Sequence, residues 1–124
     1  MGWGSIRMRP HDMAKIGCLY LKNGRWEEKQ ILSSSWVKEA TKGQANFKSG
    51  NGYGYLWWIF EDQAYSAQGR GGQCIYVLPR KNLIIVMTGG VLPWGTLHFP
   101  NTYILPLFMN QKARCRPILK EYPC

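Results

Sequence analysis

Apolar residues recur at Met13, Ile16, Gly17 and Tyr20, the i, i+3, i+4, i+7 spacing of one helical face. Pro10 suits the first helical position, Asp12 complements the positive first turn and Asn23-Gly24 supplies a left-handed stop. The pattern predicts a helix from about Pro10 to Lys22. Arg25 to Leu32 alternates poorly and reads as an irregular connection. Ser33-Ser34-Ser35 offers an N-cap for a shorter helix through Trp36, Val37 and Ala40, ending near Lys42-Gly43. Gln44 to Gly54 is rich in Asn, Gly, Ser and Lys, which marks an exposed loop between a helical half and a strand half.

From Tyr55 the period shortens. Tyr55 to Phe60 is a β-prone aromatic run, Glu61-Asp62-Gln63 turns, and Ala64 to Ala67 starts a second strand. Cys74 to Leu78 and Leu83 to Thr88, joined by Pro79-Arg80-Lys81-Asn82, make a third and a fourth. Sequential strands joined by short turns imply an antiparallel sheet, and the fold class is α+β, the sheet flanked by N-terminal helices and a C-terminal helix. Gly89 to Pro100 reads as loop, Asn101 to Met109 as the last helix, and residues 110–124 as a basic tail.

At 124 residues, 45% hydrophobic and 19% charged, the chain is globular in composition and sized for one domain. Fourteen glycines beside six tryptophans and seven tyrosines suit tight turns around an aromatic-rich sheet. The longest apolar run, Leu83 to Met87, is far short of the roughly 18 residues a membrane-spanning helix needs, so no membrane partner is expected. Residues 1–7 contain no apolar signal segment, and the sequence assigns no compartment. Sixteen Lys and Arg against seven Asp and Glu give a net charge of +9, but only Lys112, Arg114, Arg116 and Lys120 cluster and no nucleic-acid module is visible. The charge reads as a surface property, with no nucleic acid as partner. An alternative is a stand-alone basic module in which Trp57 and Trp58 meet an anionic polymer.

Four cysteines lie far apart without a CxxC pair, and only His11 and His98 are available to join them, so no metal site and no cofactor are expected. Cys18 and Cys74 fall in apolar segments and read as small core residues, whereas Cys115 and Cys124 are placed to pair in an oxidising compartment. The most suggestive stretch is Gly69-Arg70-Gly71-Gly72-Gln73, between two predicted strands. Three glycines in four positions let a backbone approach a ligand and point N–H groups at it, as an oxyanion hole or anion nest requires, and they equally suit a plain hairpin or bulge. No Gly-Lys-Ser/Thr follows, so the stretch is not a P-loop. Ser35-Trp36-Val37-Lys38 matches the S-x-x-K nucleophile pattern, but Trp36 and Val37 supply the buried face, so Ser35 and Lys38 look toward solvent. His11 and Asp12 are helical neighbours that do not face each other, and Asp12 reads as a helix N-terminal charge.

Several segments carry a resemblance when taken in order. They are Gly2-Trp3-Gly4-Ser5-Ile6-Arg7-Met8-Arg9-Pro10-His11-Asp12-Met13-Ala14-Lys15-Ile16-Gly17, Leu19 to Trp26, Ile31 to Val37, Gly52-Tyr53-Gly54-Tyr55-Leu56-Trp57-Trp58, Gly69 to Gln73 and Tyr76-Val77-Leu78-Pro79. Over residues 2 to 109 this order resembles the C-terminal part of the serine β-lactamase-like, penicillin-binding-protein-like superfamily, in the branch of class C enzymes, esterases and aminohexanoate-dimer hydrolases. The resemblance implies a serine hydrolase working through an acyl-enzyme, whose Ser-x-x-Lys and tyrosine motifs lie upstream of the matched segment. It implies that Ala67-Gln68-Gly69 stands where lactamases carry Lys-Thr-Gly, with Gly71 and Gly72 beside the substrate. Arg70 would then offer its main-chain N–H to the oxyanion and its side chain to a substrate carboxylate. Ala67 in place of the lysine points away from β-lactams and toward esters or amides.

On that resemblance residues 1–124 are a single partial domain, inactive alone. Its partners would be the missing N-terminal half or, across an exposed sheet edge and apolar patch, a second copy through dimerisation or strand exchange.

Overall fold

Helix α1 (Pro10–Leu21) forms as its spacing predicts in the computed structural model, which describes residues 6–46, 52–89 and 100–109. Pro10 opens it. At its end Asn23 takes a left-handed φ of 52°, its N–H donating to the Tyr20 carbonyl at 3.1 Å, while the Gly24 N–H donates to the Leu19 carbonyl at 2.8 Å. This is a Schellman closure in which asparagine occupies the position more often held by glycine. Helix α2 (Ser34–Ala40) is capped by Ser33, whose hydroxyl accepts from the Trp36 N–H at 3.1 Å, and it stops at Ala40, before the expected Lys42.

Three expectations are corrected. Arg25 to Leu32 is not irregular: β1 (Arg25–Trp26) and β2 (Lys29–Gln30) pair as a hairpin, turning at Glu27 with φ 51°. Two-residue strands carry no period to read. The expected loop from Gln44 to Gly54 contains β3 (Ala45–Asn46) and β4 (Gly52–Tyr53), which pair antiparallel. The aromatic run Tyr55 to Phe60 contributes only β5 (Trp58–Ile59). Its first half is a chain reversal: Gly54 N–H donates to the Trp57 carbonyl at 2.8 Å, Leu56 lies at φ 67°, and Tyr53 faces Trp58 across the hairpin. Tertiary packing overrides β propensity here. Trp57 is only 4% exposed and lies with ring centroids 4.6 Å from Tyr20 and 5.1 Å from Tyr65.

Strands β6 (Tyr65–Gly69), β7 (Gln73–Leu78) and β8 (Leu83–Met87) complete an antiparallel sheet in the order β3-β4-β5-β6-β7-β8. The β7–β8 turn is a single 3₁₀ turn, Pro79–Lys81, released by Asn82 at φ 47°. One face of the sheet carries Tyr65, Ile75 and Val77 against Met13, Ile16 and Tyr20 of α1. Gly17 permits that closeness, because a Cβ there would sit 2.7 Å from Ile84 Cγ2 and 3.1 Å from Ile75 Cγ2. The opposite face carries Cys74, Tyr76, Leu78 and Ile85 against Phe60, Ile104 and Leu105. Ile104 and Leu105 belong to the last expected helix, which is a π turn at Pro100–Ile104 leading into α3 (Leu105–Met109).

No helix among the described residues is long and apolar enough to cross a membrane. The segment from 90 to 99 with His98, the tail with Cys115 and Cys124, and residues 1–5 lie outside the described residues.

Candidate functional site at the β6–β7 hairpin

Strand β6 is paired unequally on its two sides. Toward β7 the ladder runs its whole length, from Tyr65 opposite Val77 to Gly69 opposite Gln73. Toward β5 only Tyr65 and Ser66 are paired, with Ile59 and Trp58. The reversal at Gly54 to Trp57 ends β5 there, so among the described residues Ala67, Gln68 and Gly69 have a neighbouring strand on one side alone. Their remaining backbone donors and acceptors form a three-residue length of open sheet edge, able to hydrogen-bond an extended ligand.

Side chains alternate along this strand. Tyr65 and Ala67 face α1, whereas Ser66 and Gln68 face the other way, opposite Tyr76 and Cys74. Ser66 is fully buried, and its Oγ accepts a 2.8 Å hydrogen bond from Gln68 Nε2, which draws the carboxamide back along the strand. Neither the half-open edge nor the Ser66–Gln68 bond is visible from composition or spacing. The one signal was the serine in the otherwise apolar Ala64-Tyr65-Ser66-Ala67.

The strand runs into the turn Arg70-Gly71-Gly72. Gly71 lies at φ 86° and Gly72 at φ 83°, backbone that glycine adopts without the steric cost a Cβ brings. Arg70 is exposed and forms no ion pair among the described residues, and none of them accepts a hydrogen bond from its N–H. The hairpin therefore brings together all six residues singled out by the sequence: Ala67, Gln68 and Gly69 on the edge, Arg70, Gly71 and Gly72 at the turn. Chemically this is a glycine turn with one backbone N–H that no described residue accepts, beside one cation, and a donor of that kind suits a carbonyl whose oxygen gains negative charge.

Other candidates take structural roles. The Ser35 hydroxyl donates to Ser33 Oγ at 3.1 Å and belongs to the α2 cap. Asp12 pairs with Lys15 at 2.9 Å, and that hydrogen bond and charge hold its carboxyl below the usual range. Cys18 and Cys74 are buried in the core. Burial pushes the Cys74 thiol up to about 12, which makes it an unreactive core group. Among the described residues no three His, Cys, Asp or Glu side chains converge. Trp57 is core, so it cannot be the polymer-stacking platform of the alternative reading, and half-buried Trp58 packs edge-on against Tyr53 at 5.0 Å. A shallow apolar hollow of about 250 Å³, lined by Lys15, Ile16, Leu19, Trp26 and Ile31, belongs to α1 and the β1–β2 hairpin and not to this turn.

No protein-family model matches the chain, and no curated protein does. Among solved structures the chain is similar to a Bacillus anthracis protein provisionally named a 6-aminohexanoate-dimer hydrolase, with a TM-score of 0.62 and 28% identity. The match covers 80% of this chain and 28% of that one, so the chain spans well under a third of its structural relative. With its helices and antiparallel sheet, this chain has the architecture of the β-lactamase/transpeptidase-like α+β fold.

Proposed function

We propose that this chain is the sheet-bearing C-terminal portion of a serine hydrolase that cleaves an ester or amide through an acyl-enzyme. The observation that carries the reading is the β6 edge, half-open among the described residues and ending in the Arg70-Gly71-Gly72 turn, in a chain 28% identical over 80% of its length to a protein named as a 6-aminohexanoate-dimer hydrolase. In the complete protein, a serine hydroxyl from the remaining portion adds to the substrate carbonyl. The oxyanion is held between the serine's own N–H and that of Arg70, and its collapse expels the alcohol or amine with the serine's proton. Water then adds to the acyl group and restores the serine. Ala67, Gln68 and Gly69 line the acyl portion, and the Arg70 guanidinium meets a carboxylate on it.

Among the described residues no nucleophile is brought together with a base, which supports the reading that the chain alone does not turn over. The outer edge of β8, which no described residue pairs, receives a strand from the remaining portion, and in the chain by itself a second copy occupies it.

The test is an assay of chromogenic esters, amides and a cephalosporin with this chain alone, and with this chain joined to the segment encoded immediately upstream. Turnover of the ester or amide by the joined protein only is the expected result. In the joined protein Arg70→Pro, which removes the N–H, lowers kcat by about 10² to 10³, whereas Arg70→Ala raises KM for carboxylated substrates alone. Turnover by the chain alone, or an upstream segment without a Ser-x-x-Lys, refutes the reading.

A further inference from the structure

Gly89 lies just beyond β8, and its α-carbon passes beneath the β6–β7 turn. A Cβ there would sit 3.0 Å from the Gly71 carbonyl oxygen and 3.9 Å from that of Gly72. The β7–β8 register explains the approach: Cys74 faces Met87, so the next two positions carry the chain to Gly89 beside Gly72. Gly89 itself is not in the left-handed region, and it is exposed. Among the described residues, the obstacle to a side chain there is the turn carbonyl and not the backbone conformation.

Gly71 and Gly72 are glycines for their dihedral angles, whereas Gly89 is one for space. Two backbones meet there without an intervening side chain, and the turn that presents the Arg70 N–H rests on the end of β8. We infer that Gly89 is a positioning residue of the acyl site, setting the height of the Gly71 carbonyl and through it the direction of the Arg70 N–H. A methyl at position 89 displaces that carbonyl by a few tenths of an ångström, a scale at which a pre-aimed donor loses part of its effect on the developing oxyanion.

The inference rests on the hydrolase reading, so its test has two arms. In the first, ¹H–¹⁵N spectra of the chain itself are compared for wild type, Gly89→Ala and Gly89→Ser, with the exposed neighbour Thr88→Ala as control. The amides of Arg70, Gly71, Gly72 and Gln73 shift in both Gly89 variants and stay in place in Thr88→Ala, while amides of α1 do not move in any of them. In the second, the protein joined to its upstream segment is assayed: Gly89→Ala lowers kcat about tenfold, a fraction of the effect of losing the donor outright, with KM and thermal midpoint unchanged.

Unmoved turn amides in Gly89→Ala overturn the inference whatever the assay shows. Moved amides with unaltered kcat overturn its catalytic half. Absence of acylation in the joined wild type overturns the hydrolase reading and the catalytic half together, with the spectra still deciding the packing of Gly89 under the turn.

Discussion

Gly17 lies where α1 packs tightly on the sheet, and two opposed effects meet there. Alanine is favoured over glycine in a helix by about 1 kcal/mol. The added Cβ would however lie 2.7 Å from Ile84 Cγ2, on a β-branched side chain with little freedom to turn away. Overpacking of this kind costs about 1–3 kcal/mol, so crowding outweighs propensity and Gly17→Ala lowers stability. In an Ile84→Ala background the nearer obstructing methyl is gone and only Ile75 Cγ2 at 3.1 Å remains, so the same substitution costs less than in the wild type. Urea unfolding of the two single variants and the double variant measures this coupling, and a Gly17→Ala single variant more stable than wild type would contradict the contact. Asn23 and Ser33 belong to the same scale, and both were legible in the sequence because capping chemistry is local. Gly89 was not legible, because its constraint comes from a carbonyl 18 positions away in the chain.

Among the elements, β6 and β7 show why some strands can be read and others cannot. Cys74 to Leu78 is a continuous apolar run buried on both faces, and its length and turn signals gave it away. Tyr55 to Trp57 has equal β propensity, but Leu56 at φ 67° and the burial of Trp57 between Tyr20 and Tyr65 depend on partners distant in sequence. Burial on these central strands also has a consequence for pH. It raises the pKa of the Tyr65 hydroxyl, with a smaller contribution from Tyr20, and of the Cys74 thiol, and it raises that of Tyr76, where Cys74 adds to it. The folded chain thus holds protons that the unfolded chain releases above about pH 9.0 for the thiol and 10.0 for the phenols. Stability contributed by these groups is complete below pH 9.0 and falls as pH rises through and beyond 10.0. Urea midpoints measured across that range should decline, with the decline starting later in Cys74→Val. A midpoint independent of pH there would show that the strands are open to solvent.

For the whole molecule, the antiparallel α+β architecture was legible because it follows from strand order and short turns, and the resemblance implied an exposed sheet edge, while the location of that edge on the outer side of β8, which no described residue pairs, and the unequal pairing of β6 were not. Leu83-Ile84-Ile85-Val86-Met87 carries no charge, no proline and no bulge, the devices that keep an edge from pairing. Its side chains already pack on both sheet faces, Ile84 toward α1 and Leu83, Ile85 and Met87 toward Ile104 and Leu105, as in a strand from the middle of a sheet. Two copies related by a two-fold axis can pair these identical strands antiparallel, since such an interface is self-complementary. The chain alone is therefore expected to pass from 14.3 kDa to twice that mass in light scattering as concentration rises. Met87→Lys places a cation on the edge while its aliphatic stem keeps the packing toward Leu105, so this variant stays monomeric with a thermal midpoint close to that of wild type. A wild type that remains monomeric up to sub-millimolar concentration, or a Met87→Lys variant that still dimerises, would move the self-association away from β8.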